Sequence, residues 1–124
     1  MPPVRLFVYG TLMRGGCRHE LLANQRFLGP AHTTPHFALY DLCAYPGLVR
    51  CESNGQSIEG ELYEIDAEIL PRLDAVEGVP DLYRREEIEL QGVPGRVVTY
   101  IYQRSVIGRC RINTGRWQIG PQIQ

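Results

Sequence analysis

Val4-Arg5-Leu6-Phe7-Val8-Tyr9-Gly10-Thr11-Leu12 is the stretch on which the reading of this chain turns. Its first six residues are rich in Val, Leu, Phe and Tyr, side chains that suit a buried pleated surface, so residues 4–9 are predicted to form a strand. Gly10 breaks the pattern, and residues 11–16 read as an exposed connection. A strand that ends in glycine can turn its next amides outward to form an anion-binding concavity, and Thr11 adds a hydroxyl donor. Any tight turn after a core strand would share this pattern, so both readings stand. Gly10, Gly15 and Gly16 do not make the G-x-G-x-x-G spacing of a dinucleotide-binding loop.

Further strands are predicted at 27–29, 37–40, 58–65, 84–90 and 96–104, the last two joined by a hairpin-like connection over 91–95. Pro46-Gly47 is predicted as a turn before Leu48-Val49, and Ser53-Asn54-Gly55 as another. A short helix is expected over 18–24. A second is expected over 67–78, with Asp66 as its N-cap and Gly78 and Pro80 closing it. Pro71 inside that helix would delete a backbone hydrogen bond, which calls for a later start or a kink. The tail from Ser105 is polar, with Trp117 as its large anchor. The pattern predicts one α+β domain over 1–124, with a curved or closed sheet and two helices packed on it.

Composition narrows the function. The chain has 124 residues, the length of one ordinary domain, and 44% hydrophobic with 22% charged residues is a globular balance. With 13 basic against 14 acidic residues the formal net charge is -1, so neither nucleic acid nor an anionic membrane is expected as a partner. No run approaches the roughly 18 apolar residues of a membrane span, and no signal-peptide pattern is expected at the N-terminus. All 13 basic residues are arginine. Without lysine there is no Schiff base, no pyridoxal-phosphate anchor and no phosphate-loop lysine. Cys17, Cys43, Cys51 and Cys110 form no C-x-x-C pair, which predicts free thiols in a reducing, cytoplasmic setting.

Among the acid–base candidates Glu77 stands out. At about 100° per residue, Ile69, Leu70, Leu73 and Val76 define one apolar helical arc, and Glu77 projects about 50° from its centre. A carboxylate there faces the core at the negative end of a helix, and both effects raise its pKa towards the range that acid–base work near neutral pH requires. If the helix frays first, Glu77 faces water instead. His32 and His36 flank Pro35, and on an extended strand they stand about 13 Å apart, so no metal site is expected from them. Cys17 and His19 have the spacing of a nucleophile pair but no orienting third group. Arg109, Arg111 and Arg116 read equally as a patch for an acidic partner or as a solvated tail.

Taken in order, several short motifs resemble one family. They are Tyr9-Gly10-Thr11-Leu12, Tyr45-Pro46, Gly60-Glu61-Leu62-Tyr63, Leu73-Asp74 with Glu77-Gly78, Tyr83-Arg84-Arg85 and Thr114-Gly115-Arg116-Trp117. The set is similar to the γ-glutamylcyclotransferase-like family, which includes γ-glutamylamine cyclotransferases and plant AIG2-like proteins. The resemblance implies a small mixed β-barrel with short helices packed on it and a pocket at one end. It implies that Tyr9, Gly10, Thr11 and Leu12 bind a γ-glutamyl group and that Glu77 is the catalytic acid–base residue. Tyr83 would hydrogen-bond that glutamate or line the pocket. The implied reaction cyclises a small γ-glutamyl amine or peptide to 5-oxoproline, with no metal and no organic cofactor. A binding or regulatory protein that keeps the pocket without turnover is the alternative. Arg18-His19 stands where many relatives carry Asn-His, and Arg116 stands where they carry an acid.

Overall fold

The computed structural model describes residues 2–119. The domain span expected over 1–124 includes Met1 and residues 120–124, which lie outside the described residues. Strand β1 (Val4–Val8) occupies the centre of a five-stranded sheet of order β2-β5-β1-β7-β6. The other members are β2 (Arg26–His32), β5 (Glu59–Ile65), β6 (Tyr83–Leu90) and β7 (Val93–Tyr102). β1 pairs antiparallel with β5 from Val4–Ile65 to Val8–Glu61, and parallel with β7 at Leu6–Val98. A second sheet of order β4-β3-β8 joins β3 (Phe37–Asp41), β4 (Pro46–Arg50) and β8 (Cys110–Arg111).

The two-residue period of the central strands divides the core. Leu6 and Val8 of β1 pack on one face with Tyr63, Ile65, Tyr100 and Tyr102, beneath Leu73 of helix α1 (Leu70–Val76). Phe7 and Tyr9 pack on the other face with Leu62, Val97 and Ile101, against Leu39 and Leu48 of the second sheet. A strand covered on both faces needs apolar side chains at successive positions, which is why Leu6-Phe7-Val8 runs without alternation. The Tyr9 hydroxyl joins the layers: it donates to the Tyr100 carbonyl at 2.6 Å and accepts the Leu48 N–H at 3.3 Å.

The mixed α+β architecture matches expectation, but the sheet is not closed into a barrel. Between its edges β2 and β6 the described residues show one isolated bridge, from Thr33, just past the end of β2, to Leu90. Pro30 has no N–H to offer a further strand, and a register shift between Phe27 and Gly29 bends β2 away from a regular ladder.

Local expectations are corrected as well. Pro46-Gly47 is not a turn; both residues lie in β4, paired with Asp41 and Tyr40. Proline is tolerated there because it opens the strand. The turn precedes it, closed by Leu42 N–H to Tyr45 O at 3.0 Å. The helix expected over 18–24 shortens to a 3-10 turn at His19–Leu22. The helix expected over 67–78 is a 3-10 turn at Ala67–Ile69 followed by α1, which places Pro71 in the first α-helical turn, where its missing N–H costs no bond. The Asp66 side chain makes no cap; its carbonyl accepts Ile69 N–H at 3.1 Å instead. The hairpin between β6 and β7 turns tightly at Gln91-Gly92, with Leu90 paired to Val93 and Gly92 at φ +70°. All four cysteines are free thiols.

Tyr9→Phe tests the bond between the layers. It leaves a buried carbonyl and a buried N–H without their partner, so unfolding stability is expected to fall by about 1–3 kcal/mol. Urea denaturation should show a lower midpoint with an unchanged slope. A midpoint equal to wild type would show that the hydroxyl does not hold the sheets together.

Candidate active site

The six residues singled out in the sequence, Tyr9, Gly10, Thr11, Leu12, Glu77 and Tyr83, line one cavity of about 90 Å³. Its remaining wall includes Arg18, Tyr45, Pro46, Val76, Leu82 and Tyr100. The loop after β1 directs its carbonyls into the protein. Gly10 O accepts Met13 N–H at 3.0 Å, Thr11 O accepts Arg18 N–H at 3.0 Å, and Leu12 O lies 2.9 Å from His19 Nδ1. Among the described residues, the amides of Gly10, Thr11 and Leu12 have no hydrogen-bond acceptor within the protein. Farther along, Arg14 N–H donates to Glu61 Oε1 at 2.9 Å, and the Arg14 guanidinium lies 3.9 Å over the Phe27 ring, which pins the loop to the sheet. Gly10 has no space for a side chain: a β-carbon there would stand 2.7 Å from the Pro46 ring.

Glu77 follows the last residue of α1, and its N–H still bonds Leu73 O at 2.9 Å. The helical phase therefore persists to residue 77, and the side chain is only 13% exposed. Gly78, at φ +66°, then turns the chain away. Two side chains on α1 set its rotation. Leu73 is buried under the sheet, and Asp74 accepts two bonds from Arg85 Nη1 at 2.7 Å and one from the Tyr100 hydroxyl at 2.7 Å. Burial pushes the Glu77 carboxyl up from its ordinary range, and Arg18 pulls it partly back through charge and a 3.3 Å bond from Nη1 to Oε2.

The two tyrosines have hydroxyls committed to backbone. Tyr83 donates to Pro46 O at 2.6 Å, and Tyr9 bonds Tyr100 and Leu48 as described. Neither bonds Glu77, so Tyr83 takes the wall position and not the hydrogen-bonding one. Burial, reinforced by the nearby Glu77 charge, raises the pKa of both phenols, which keeps them neutral donors.

The chain matches the family model described as gamma-glutamyl cyclotransferase, AIG2-like, over residues 6–119. It belongs to that family. It is 44% identical over 112 residues to a Vibrio cholerae protein named "Putative gamma-glutamylcyclotransferase", covering 90% of this chain and 93% of that one. It is 34% identical over 106 residues to the gamma-glutamylaminecyclotransferase of Bos taurus, covering 78% of this chain and 63% of that one. The crystal structure of an AIG2-like protein from Mus musculus superposes with a TM-score of 0.74 at 28% identity, over 82% of this chain and 78% of that one.

In this γ-glutamylcyclotransferase family member the other sequence candidates fall outside the cavity. His32 and His36 each face their own glutamate, Glu59 and Glu52, both at 3.7 Å. Cys17 is exposed, and the neighbouring His19 ring turns to Leu12 O. Arg111 reaches Asn54 O at 2.7 Å while Arg116 pairs with Glu59 at 3.6 Å, so these two tail arginines have separate partners. Arg18 is the charged one among the wall residues that the sequence did not place in the site. Its only local signal was a cation just after a glycine-rich turn, whereas its contact with Glu77 spans 59 positions.

The burial of Glu77 also sets a pH dependence of stability. Its folded pKa lies above the unfolded value, so its favourable contribution is present below the ordinary carboxylate range and is lost as pH rises through the raised value. Glu77→Gln removes that loss. Thermal melts should show the variant gaining on wild type as pH rises through and above the ordinary carboxylate range. A difference that stays constant across this range would mean that Glu77 titrates as an ordinary carboxylate.

Proposed function

We propose that this chain is a γ-glutamylcyclotransferase that converts the γ-glutamyl group of a small amide to 5-oxoproline and releases the amine. The observation that carries this reading is the buried, upward-shifted carboxyl of Glu77 in a small cavity also lined by Gly10, Thr11 and Leu12, whose N–H groups have no acceptor among the described residues. The substrate's α-amine must attack its own γ-carbonyl, and that amine is normally protonated. Glu77 first takes a proton from the ammonium group, which frees the lone pair to attack. The second proton, shed by that nitrogen once the new C–N bond has formed, passes to the leaving nitrogen as the old C–N bond breaks. The proton held by Glu77 departs with the released amine as ammonium. The amides of Gly10, Thr11 and Leu12, with the Thr11 hydroxyl, hold the substrate α-carboxylate, a fixed charge that suits unpaired N–H donors. Tyr9 and Tyr83 form the wall that holds the glutamyl chain folded. Bringing amine and carbonyl together in a shaped pocket removes much of the entropic barrier. No cofactor enters this scheme, and a cavity of about 90 Å³ favours a small ligand over a dinucleotide or polymer.

Incubation with γ-glutamyl amines, γ-glutamyl dipeptides and glutathione should release 5-oxoproline, detected by mass. Glu77→Gln keeps the shape of the side chain and removes the base, so kcat is expected to fall by about 10²–10⁴. Glu86→Gln and Glu87→Gln, on β6 outside the cavity, serve as controls. Wild-type kcat/KM should rise with pH along an acid limb lying above the usual carboxylate range, because the base form of Glu77 is required. Near wild-type turnover by Glu77→Gln would remove it from the reaction. Ligand binding without any 5-oxoproline would make the protein a binder.

A further inference from the structure

Arg18 occupies an unusual place in the cavity. Its backbone N–H is tied to the glycine loop through Thr11 O at 3.0 Å, and its side chain reaches Glu77 at 3.3 Å. The residue thus spans the distance between the proposed carboxylate cradle and the proposed acid–base group. A guanidinium has five N–H donors. Among the described residues, the bond to Glu77 is the only one that the Arg18 side chain makes, and the side chain is 41% exposed. A partly solvated cation with donors to spare therefore stands in the cavity wall, next to the group that must meet the leaving nitrogen.

We propose that Arg18 is a specificity-determining residue that receives the α-carboxylate of the leaving group, so that γ-glutamyl-amino acids are preferred to simple γ-glutamyl amines. The inference rests on the cyclotransferase reading above. When the leaving nitrogen is in reach of Glu77, the carboxylate carbon of an amino acid lies about 2.5 Å beyond it, two covalent bonds away. A guanidinium already touching Glu77 is within range of that carboxylate. Planar donors match a carboxylate in shape as well as charge. The rest of the wall near Glu77 comes from Tyr45, Pro46, Val76, Leu82 and Tyr83, which carry no charge. Without Arg18, an anionic leaving group would meet only the repulsion of Glu77. A simple amine would find no charge partner besides Glu77 in either case.

The test uses γ-glutamyl-alanine and γ-glutamyl-ethylamide, two substrates that differ by a single carboxylate. The readout is the ratio of their kcat/KM values in wild type, Arg18→Gln and Arg18→Lys. Loss of the Glu77 partner in Arg18→Gln lowers the rate for both substrates, so the ratio and not the rate carries the test. Wild type should favour the alanine compound by about tenfold or more, the scale of one charge-assisted hydrogen-bond pair. The ratio should fall to about one in Arg18→Gln and partly recover in Arg18→Lys. An equal loss for both substrates, with the ratio intact, would assign Arg18 to Glu77 alone and overturn the proposal. A wild-type preference for the ethylamide would overturn it too. Calorimetric binding of the same two compounds reads the ratio without turnover. A carboxylate preference in binding that is lost in Arg18→Gln, with no 5-oxoproline formed, would uphold the role of Arg18 and reject the cyclotransferase reading. Binding of neither compound would reject both.

Discussion

The hydroxyl of Tyr9 sits where the two sheets meet, and the cavity inherits its shape from that junction. Because Tyr9 bonds Tyr100 O in the central sheet and Leu48 N–H in the second, the end of β1 cannot move relative to β4 without exposing buried polar groups. The next residue, Gly10, lies directly against the Pro46 ring, an approach open only to a residue without a β-carbon. The Pro46 carbonyl in turn receives the Tyr83 hydroxyl from β6. The end of β1 is thus bolted to β4, β6 and β7 around the loop whose residues line the cavity.

The opposite wall has a different logic. A buried carboxylate is unfavourable unless something compensates it, and Glu77 is compensated only in part, by one bond from a half-exposed arginine. The fold tolerates this because α1 is secured elsewhere. Asp74, one helical turn before Glu77, is gripped by Arg85 and Tyr100, and Leu73 is buried in the core. That clamp holds the helix end in place while Glu77 retains a raised pKa. A fully paired glutamate would be more comfortable and less basic. Partial pairing leaves the carboxyl with a raised pKa without surrendering its position.

Openness of the main sheet also matters. In a closed barrel, β2 and β6 would share a full ladder; here, among the described residues, an isolated bridge at Thr33–Leu90 stands in its place. The second sheet covers one face instead, and α1 and the His19–Leu22 turn contribute Leu73 and Leu22 to the core of the other. Gly47 shows how close the layers come: a β-carbon there would stand 3.0 Å from the Tyr102 ring.

Local geometry was legible in the sequence. The apolar run from Val4 to Tyr9 marked a buried strand, the glycine after Tyr9 marked where that strand must stop, and the spacing of Ile69, Leu70, Leu73 and Val76 gave the inward phase of Glu77. Each depends on a repeat of two or 3.6 residues, which neighbouring positions encode by themselves. Composition, too, needed no structure: a chain without lysine and near neutrality narrows the chemistry directly. Tertiary structure alone decided the rest. Pro46-Gly47 looks like a turn until β3 and Tyr102 lie beside it and make it a strand start. Whether the sheet closes depends on how two edge strands meet, and a bulge and one proline in β2 shape that outcome more than any pattern of hydrophobicity. Arg18 was unreadable as a site residue because its partner lies 59 positions away. Periodicity fixes which way a side chain points from its own element; what it meets there depends on how the elements pack.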